Sequence, residues 1–97
     1  MAPRKALIVQ QISAETAPLE DRVLLTEIVR ALVEFPIRVS VEERISTAGQ
    51  VTLWIECADA DRGKVLGKAG ETINAIRRLF SVIGGRDRRN ITVSMAS

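Results

Sequence analysis

Glycines at positions 67 and 70 bracket Lys68 and Ala69, with a short apolar run, Lys64-Val65-Leu66, before them and an amphipathic stretch, Glu71 to Ile83, after them. No other stretch restricts the chain as much. Glycine lets the backbone turn with positive φ and lets a ligand approach without meeting a Cβ, and a helix beginning just beyond offers free N–H groups that favour anions. Phosphate suits such a turn, so the stretch reads as a nucleic-acid-binding loop. An ordinary hinge between two helices would carry the same glycines, so the flanks must distinguish the two. Val65, Leu66, Ile73 and Ile76 fall where two helices meeting at the loop would bury them.

Ninety-seven residues make one domain with a single core of modest stability, which self-association would help. Hydrophobic residues at 46% and charged residues at 27% place the chain among folded proteins rather than disordered ones. The net charge of +2 hides a division: residues 1–58 hold six Lys/Arg against eight Asp/Glu, and residues 59–97 hold eight against four. The basic part contains the glycine loop, which points to a polyanionic partner, although a solvated face would have the same composition. The single cysteine, Cys57, excludes an internal disulfide and a multi-cysteine zinc site, and a reducing cytoplasm is the expected location. The apolar run Ala6 to Val9 is too short for a signal-peptide core or a membrane span.

In chain order, residues 1–17 read as a weakly ordered arm, with Leu7-Ile8-Val9 as an extra strand or a partner contact, and residues 18–97 as the folded domain. Leu25, Ile28, Val29 and Leu32 recur at helical spacing after Pro18, and this helix should stop before Phe35-Pro36. Ile37, Val39 and Val41 alternate with polar residues as one strand, and Val51, Leu53, Ile55 and Cys57 as a second, joined by a hairpin turn over Ser46 to Gln50. Cys57 then reads as a small buried hydrophobe, since the chain has no histidine to activate it. Trp54 faces the other way, as a local packing residue or a protein contact. Asp59 or Asp61 is placed to cap a short helix running to about Leu66. Beyond the loop, Ile73, Ile76, Phe80 and Ile83 form the inner face of the next helix. Asn74, Arg77, Arg78 and Ser81 form its outer face, where the arginines are open to two readings, RNA-facing or solvated. Gly84-Gly85 is expected to end that helix, Arg86 to Arg89 to form a basic loop, and Ile91, Val93 and Met95 to alternate as a last strand. The predicted order is α-β-β-α-α-β.

The segment Asp61-Arg62-Gly63-Lys64-Val65-Leu66-Gly67-Lys68-Ala69-Gly70, with Arg30 to Pro36 and Ala75-Ile76-Arg77-Arg78-Leu79, resembles the small bacterial KH proteins called KhpA over about Leu24 to Met95. KH domains hold about four nucleotides against a Gly-x-x-Gly loop. The resemblance implies an α+β fold, a type II KH domain, in which a three-stranded mixed sheet carries three helices on one face. The 51–57 strand would be central and the last strand parallel to it. It also implies single-stranded RNA as ligand, a role as RNA chaperone or regulator linked to cell elongation and division, and a second KH protein, KhpB, as partner. Glu71 departs from the family's usual residue after the loop. It suits a helix N-terminus yet competes with phosphate for the same N–H groups.

The expected RNA contacts are the backbone and side chains of Gly67, Lys68, Ala69 and Gly70, with charge from Arg62 and Lys64, approach at Gly63, and Val65, Leu66 and Ile73 lining or supporting the base groove. Arg77 on the helix is a further expected contact, and Arg86, Arg88 and Arg89 in the far loop would close the far side of the groove. Stacking should be minor, since Phe35, Trp54 and Phe80 are the only aromatics. The competing reading is a protein-interaction module, a KH fold that dimerises or pairs with a partner and binds RNA weakly. Catalysis fits poorly. Gly63 to Lys68 is one residue short of a P-loop, Ala69 stands where Ser/Thr would hold magnesium, and no metal site, cofactor site or nucleophile–base pair can be assembled.

Overall fold

The computed structural model describes residues 17–86 and 88–96, so the expectations for residues 1–16 lie outside the described residues. Helix α1 spans Ala17–Leu32, strand β1 Ser40–Ile45, strand β2 Val51–Glu56, helix α2 Arg62–Leu66, helix α3 Glu71–Arg86 and strand β3 Ile91–Met95. Short 3-10 turns occupy Pro36–Arg38, Asp59–Asp61 and Lys68–Gly70. The α-β-β-α-α-β order is the expected one.

β2 is the central strand of three. It pairs antiparallel with β1, Val41 opposite Ile55, and parallel with β3, Leu53 opposite Val93. Alternation then sends one residue in two to each face. Val41, Val51, Leu53, Ile55, Ile91 and Val93 are buried and meet Leu25 and Val29 of α1, Val65 of α2, and Ile73, Ile76 and Phe80 of α3 in one core. Burying Phe80, which has no exposed surface, contributes about 3 kcal/mol. The opposite face of the sheet carries Thr52, Trp54, Thr92 and Ser94, and among the described residues no helix lies over it. Trp54 lies there with the Arg44 guanidinium 5.5 Å from its ring centroid, itself held by Glu42 at 2.7 Å.

Three local expectations are corrected. Ile37 was expected inward on the first strand, but it is 86% exposed, because Pro36 at the head of a 3-10 turn delays the extended backbone until Val39. Gly84-Gly85 was expected to end α3, yet the helix runs through both to Arg86. Gly84 is buried where the returning chain crosses the helix: a Cβ there would stand 2.5 Å from the Arg89 carbonyl oxygen and 3.2 Å from Ile91 Cγ1. The helix closes instead with the Arg89 N–H donating to the Gly84 carbonyl at 2.6 Å and the Arg88 N–H to the Gly85 carbonyl at 3.2 Å, a Schellman pattern with Arg88 as the left-handed residue at φ 57°. Neither Asp59 nor Asp61 caps a helix with its side chain; Asp61 faces the core and bonds elsewhere.

Candidate nucleic-acid interface

The loop is built by two helices too short or too tightly turned to leave alternatives. α2 has five residues, and the Gly67 N–H closes its last turn on the Gly63 carbonyl at 2.8 Å. Gly67 then takes φ 78° and ψ 169°, a region of backbone space that only glycine occupies without strain. A Cβ at Gly67 would collide with Thr72 Oγ1 and approach the Thr72 nitrogen at 2.6 Å. Ala69 adopts the left-handed region at φ 56° and ψ 27°, and Gly70 follows at φ 76°. The Gly70 N–H donates to the Gly67 carbonyl at 3.1 Å and the Glu71 N–H to the Lys68 carbonyl. This 3-10 turn leaves the Lys68 and Ala69 N–H groups ahead of the first helical bond, with no acceptor in the ladder. Both residues are exposed, and Glu71 sits in the first turn of α3, where its charge favours the helix.

The basic side chains divide sharply. Lys68, Arg78 and Arg88 are exposed and carry no ion pair among the described residues. Arg62 donates to the Ala96 carbonyl at 2.6 Å, and Arg77 donates through Nε to the Val93 carbonyl at 2.9 Å and through Nη1 to Asn74 Oδ1 at 3.2 Å. Those two arginines hold β3 and the residue after it, and Arg77 covers an acceptor on the outer edge of an edge strand. Lys64 Nζ lies 3.6 Å from Asp61 Oδ1 and 3.7 Å from Glu34 Oε2. Arg89 Nη1 meets Asp21 Oδ2 of α1 at 2.5 Å, with both side chains largely withdrawn from solvent. Arg86 is exposed on the last turn of α3 and has an interaction of its own. Of the apolar residues, Val65 and Ile73 are buried beneath the loop and only Leu66 is half-exposed beside it, while Gly63 is open. The structure therefore brings Gly63 to Gly70 and Ile73 together. It sends Arg62, Arg77 and Arg89 to backbone or carboxylate partners.

Asp61 is the residue whose importance its sequence position concealed. Its carboxylate has no exposed surface, and it accepts the Glu34 N–H on Oδ1 and the Phe35 N–H on Oδ2, each at 3.0 Å. Burial alone would push its pKa up, but those two N–H groups and the Lys64 ammonium outweigh that and hold the carboxyl below its ordinary value. An aspartate ahead of a helix has the same sequence appearance whether it caps that helix or reaches across the fold. Cys57 is half-buried and burial raises its thiol pKa, which keeps it protonated and poorly nucleophilic. Among the described residues no group of three His, Cys, Asp or Glu side chains could hold a metal ion, and no helix is long and apolar enough to cross a membrane.

A Gly-x-x-Gly turn between two helices, packed with a third on one face of an α-β-β-α-α-β mixed sheet, defines a KH domain of the type II arrangement. The model of the family described as KhpA/KhpB, KH domain, matches residues 22–95. The chain belongs to this KhpA/KhpB family. It is 40% identical over 62 residues to the RNA-binding protein KhpA of Mycobacterium leprae, covering 64% of this chain and 76% of that protein. Against the RNA-binding protein KhpA of Chlamydia trachomatis it is 37% identical over 71 residues, 73% of this chain and 87% of the relative. Against that of Clostridium acetobutylicum it is 31% identical over 72 residues, 74% and 95% respectively. No solved structure matches the chain.

Proposed function

We propose that this protein binds single-stranded RNA by its phosphate backbone at Gly67-Lys68-Ala69-Gly70. The observation that carries the reading is the turn itself: two N–H groups without helical acceptors, at Lys68 and Ala69, beside a lysine with no competing carboxylate among the described residues. Phosphate oxygens accept from those N–H groups, and Lys68 adds a point charge. Bases lie over Leu66, with Val65 and Ile73 supporting from below. Arg88, exposed beyond α3 and in no ion pair among the described residues, supplies charge on the far side, and Arg86 joins it at the rim. Lys64 and Arg62 contribute more to placing α2 than to the ligand. The RNA-binding names of the relatives support the ligand class. The chemistry is binding rather than catalysis, in the cytoplasm, in the manner of an RNA chaperone or post-transcriptional regulator acting on cell elongation and division.

The test compares wild type with Lys68→Asp/Ala69→Asp for binding of a labelled single-stranded RNA pool. Aspartate tolerates the left-handed region that Ala69 occupies, so the variant keeps its fold, which circular dichroism checks. Loss of binding in the folded variant is the expected result. With about three or four phosphates contacted, log affinity in the wild type falls with log salt at a slope of about −2 to −3. Equal binding by both proteins, or a slope near zero, would sink the reading.

A second reading has its own observation. Leu79 is 45% and Val82 67% exposed on α3, with Ala75 exposed one turn before, a stripe at i, i+4 and i+7. Such a seam suits a helix-to-helix contact with a second copy or with a KhpB-like KH protein. Native mass measurement of wild type and Val82→Glu separates the readings: association lost on the substitution, with RNA binding by the loop unchanged, would make the seam an interface.

A further inference from the structure

α2 is the support of the loop, and by itself it is a poor one. Five residues make little more than one turn, below the length at which a helix sustains itself in water. Val65 is the only α2 side chain fully withdrawn into the core. The glycine loop begins one residue after α2 ends, so any rocking of α2 moves Gly67 to Gly70 with it.

Asp61, the residue immediately before α2, supplies the missing attachment. Its two carboxylate oxygens each accept one of two consecutive backbone N–H groups, Glu34 and Phe35, which lie 27 and 26 residues earlier in the connection leaving α1. Two bonds from one planar group to one stretch of backbone fix direction as well as distance. The connection is itself stiff, because the Arg38 N–H donates to the Phe35 carbonyl at 3.0 Å, the Val39 N–H to the Pro36 carbonyl at 3.1 Å, and Arg30 Nε to the same Pro36 carbonyl at 3.3 Å. Lys64 of α2 closes over the joint, reaching both Asp61 and Glu34. Asp61 thus ties the start of α2 to a rigid part of the molecule that shares no sequence neighbourhood with it.

We propose that Asp61 is the positioning residue of the glycine loop: its bidentate hold on the Glu34 and Phe35 amides sets where Gly67 to Gly70 stands relative to α3, and hence whether the Lys68 and Ala69 N–H groups can meet successive phosphates. This rests on the loop reading given above. Asp61 itself touches no ligand, being fully buried.

Amide hydrogen exchange on the full chain tests it, with RNA-pool binding measured alongside. In wild type, the Glu34 and Phe35 amides exchange through the same opening as residues 62–67 and with the same free energy. In Asp61→Asn one acceptor oxygen remains and the new amide group faces a backbone donor. Amides of residues 62–67 and Gly70 then exchange about tenfold faster or more, those of β2 and the middle of α3 keep their protection, and RNA affinity falls about tenfold or more. Faster exchange spread evenly over the whole molecule, with RNA affinity retained wherever the protein is folded, would reduce Asp61 to a stability residue and overturn the proposal. So would unchanged exchange at 62–67 and Gly70. Should Asp61→Asn fail to fold, the wild-type pattern decides: separate opening free energies for residues 34–35 and 62–67 overturn it. If Lys68→Asp/Ala69→Asp binds RNA like wild type, the loop reading fails, and the exchange comparison alone judges whether Asp61 positions the loop.

Discussion

The chain ends two helices next to glycines, and it builds the two ends in opposite ways. At the end of α2, Gly67 takes the backbone conformation that a side chain would forbid, and the turn that follows leaves N–H groups and Lys68 without partners among the described residues. At the end of α3, Gly84 and Gly85 stay helical, the left-handed position falls on Arg88, and the next residue, Arg89, is drawn onto Asp21. Glycine serves conformation at the first end and close approach at the second. The difference shows that a glycine pair marks a constraint on the chain, and only what crosses or follows it says which constraint. The first end is left open to a ligand and the second is closed by the protein's own backbone.

The sharpest way to break this comparison is Gly67→Ala. The new Cβ meets Thr72 and the backbone is driven out of its glycine-only region, so the loop must rebuild. A loss of about 3 kcal/mol or more is expected, with Tm lower by roughly 10–20 °C and RNA affinity reduced at temperatures where the variant is folded. Gly84→Ala isolates the other use of glycine. Alanine gains up to about 1 kcal/mol of helix propensity, but its Cβ presses on the Arg89 carbonyl, which as backbone cannot swing aside. The expected net is a loss of about 1–2 kcal/mol in denaturant unfolding, without change in RNA affinity. Stabilisation by Gly84→Ala would mean that the crossing is looser than described.

Arg88 and Arg89 are neighbours with opposite duties in this comparison. Arg89→Ala leaves the buried Asp21 without its partner and should cost about 1–3 kcal/mol, while leaving the salt slope of RNA binding unchanged. Arg88→Ala should change stability by no more than about 0.5 kcal/mol and reduce the salt slope by about 1 if Arg88 meets a phosphate. Urea melts and a salt titration of each variant separate the two. The reverse assignment would place the far-side contact on Arg89.

Acid sharpens the contrast between the clamp and the strand beside it. Asp61 has a pKa held below its ordinary value of 3.8, so its contribution is present above that value and is lost as pH falls through the folded pKa. Glu43 on β1 has the opposite shift: burial raises its pKa above 4.5, the Arg22 charge lowers it, Asp21 raises it and Arg89 lowers it, with burial prevailing. Its ionised form is disfavoured in the fold, so stability is gained as pH drops through that raised value. Titrating unfolding should therefore give a small rise as pH falls toward the ordinary glutamate value of 4.5 and a fall below the ordinary aspartate value of 3.8. Asp61→Asn removes the fall and Glu43→Gln removes the rise.

How far these features were legible follows from the range over which each is decided. The strands β2 and β3, the inner face of α3 and the Gly67 turn are fixed by period and by local backbone sterics, and the sequence displays both. The same holds for Val65 and Ile73 beneath the loop. Ile37 misleads because alternation cannot show that Pro36 delays the strand. Gly84 misleads because the Arg89 carbonyl that demands it arrives only after the chain has turned. Asp61 and Arg89 take partners 26 and 68 positions away, Phe35 and Asp21, and nothing in their own neighbourhoods distinguishes those roles from a helix cap and a solvated charge. Charges were the least legible part of the site, since a basic residue beside a loop has the same local sequence whether it faces RNA or a carbonyl.

Arg88→Gly carries the smallest expected effect and bears directly on why the two helix ends differ. A non-glycine residue in the left-handed region costs roughly 1 kcal/mol, whereas glycine is free to adopt it, and the Schellman bonds at Gly84 and Gly85 are backbone bonds that the substitution leaves intact. Against that gain stands the greater freedom of glycine in the unfolded chain, about 0.4–1 kcal/mol. The expected result is a stability change between zero and a gain of about 0.5 kcal/mol. A folded chain that keeps arginine where glycine is at least as stable is keeping the side chain for something else, and the RNA affinity of the same variant says what. If Arg88→Gly loses affinity in step with Arg88→Ala, the arginine is retained for its charge and the second helix end, though closed, still serves the ligand held at the first. If affinity is unchanged, the ligand is confined to the α2 side, and the two ends are divided in function as completely as they are in geometry.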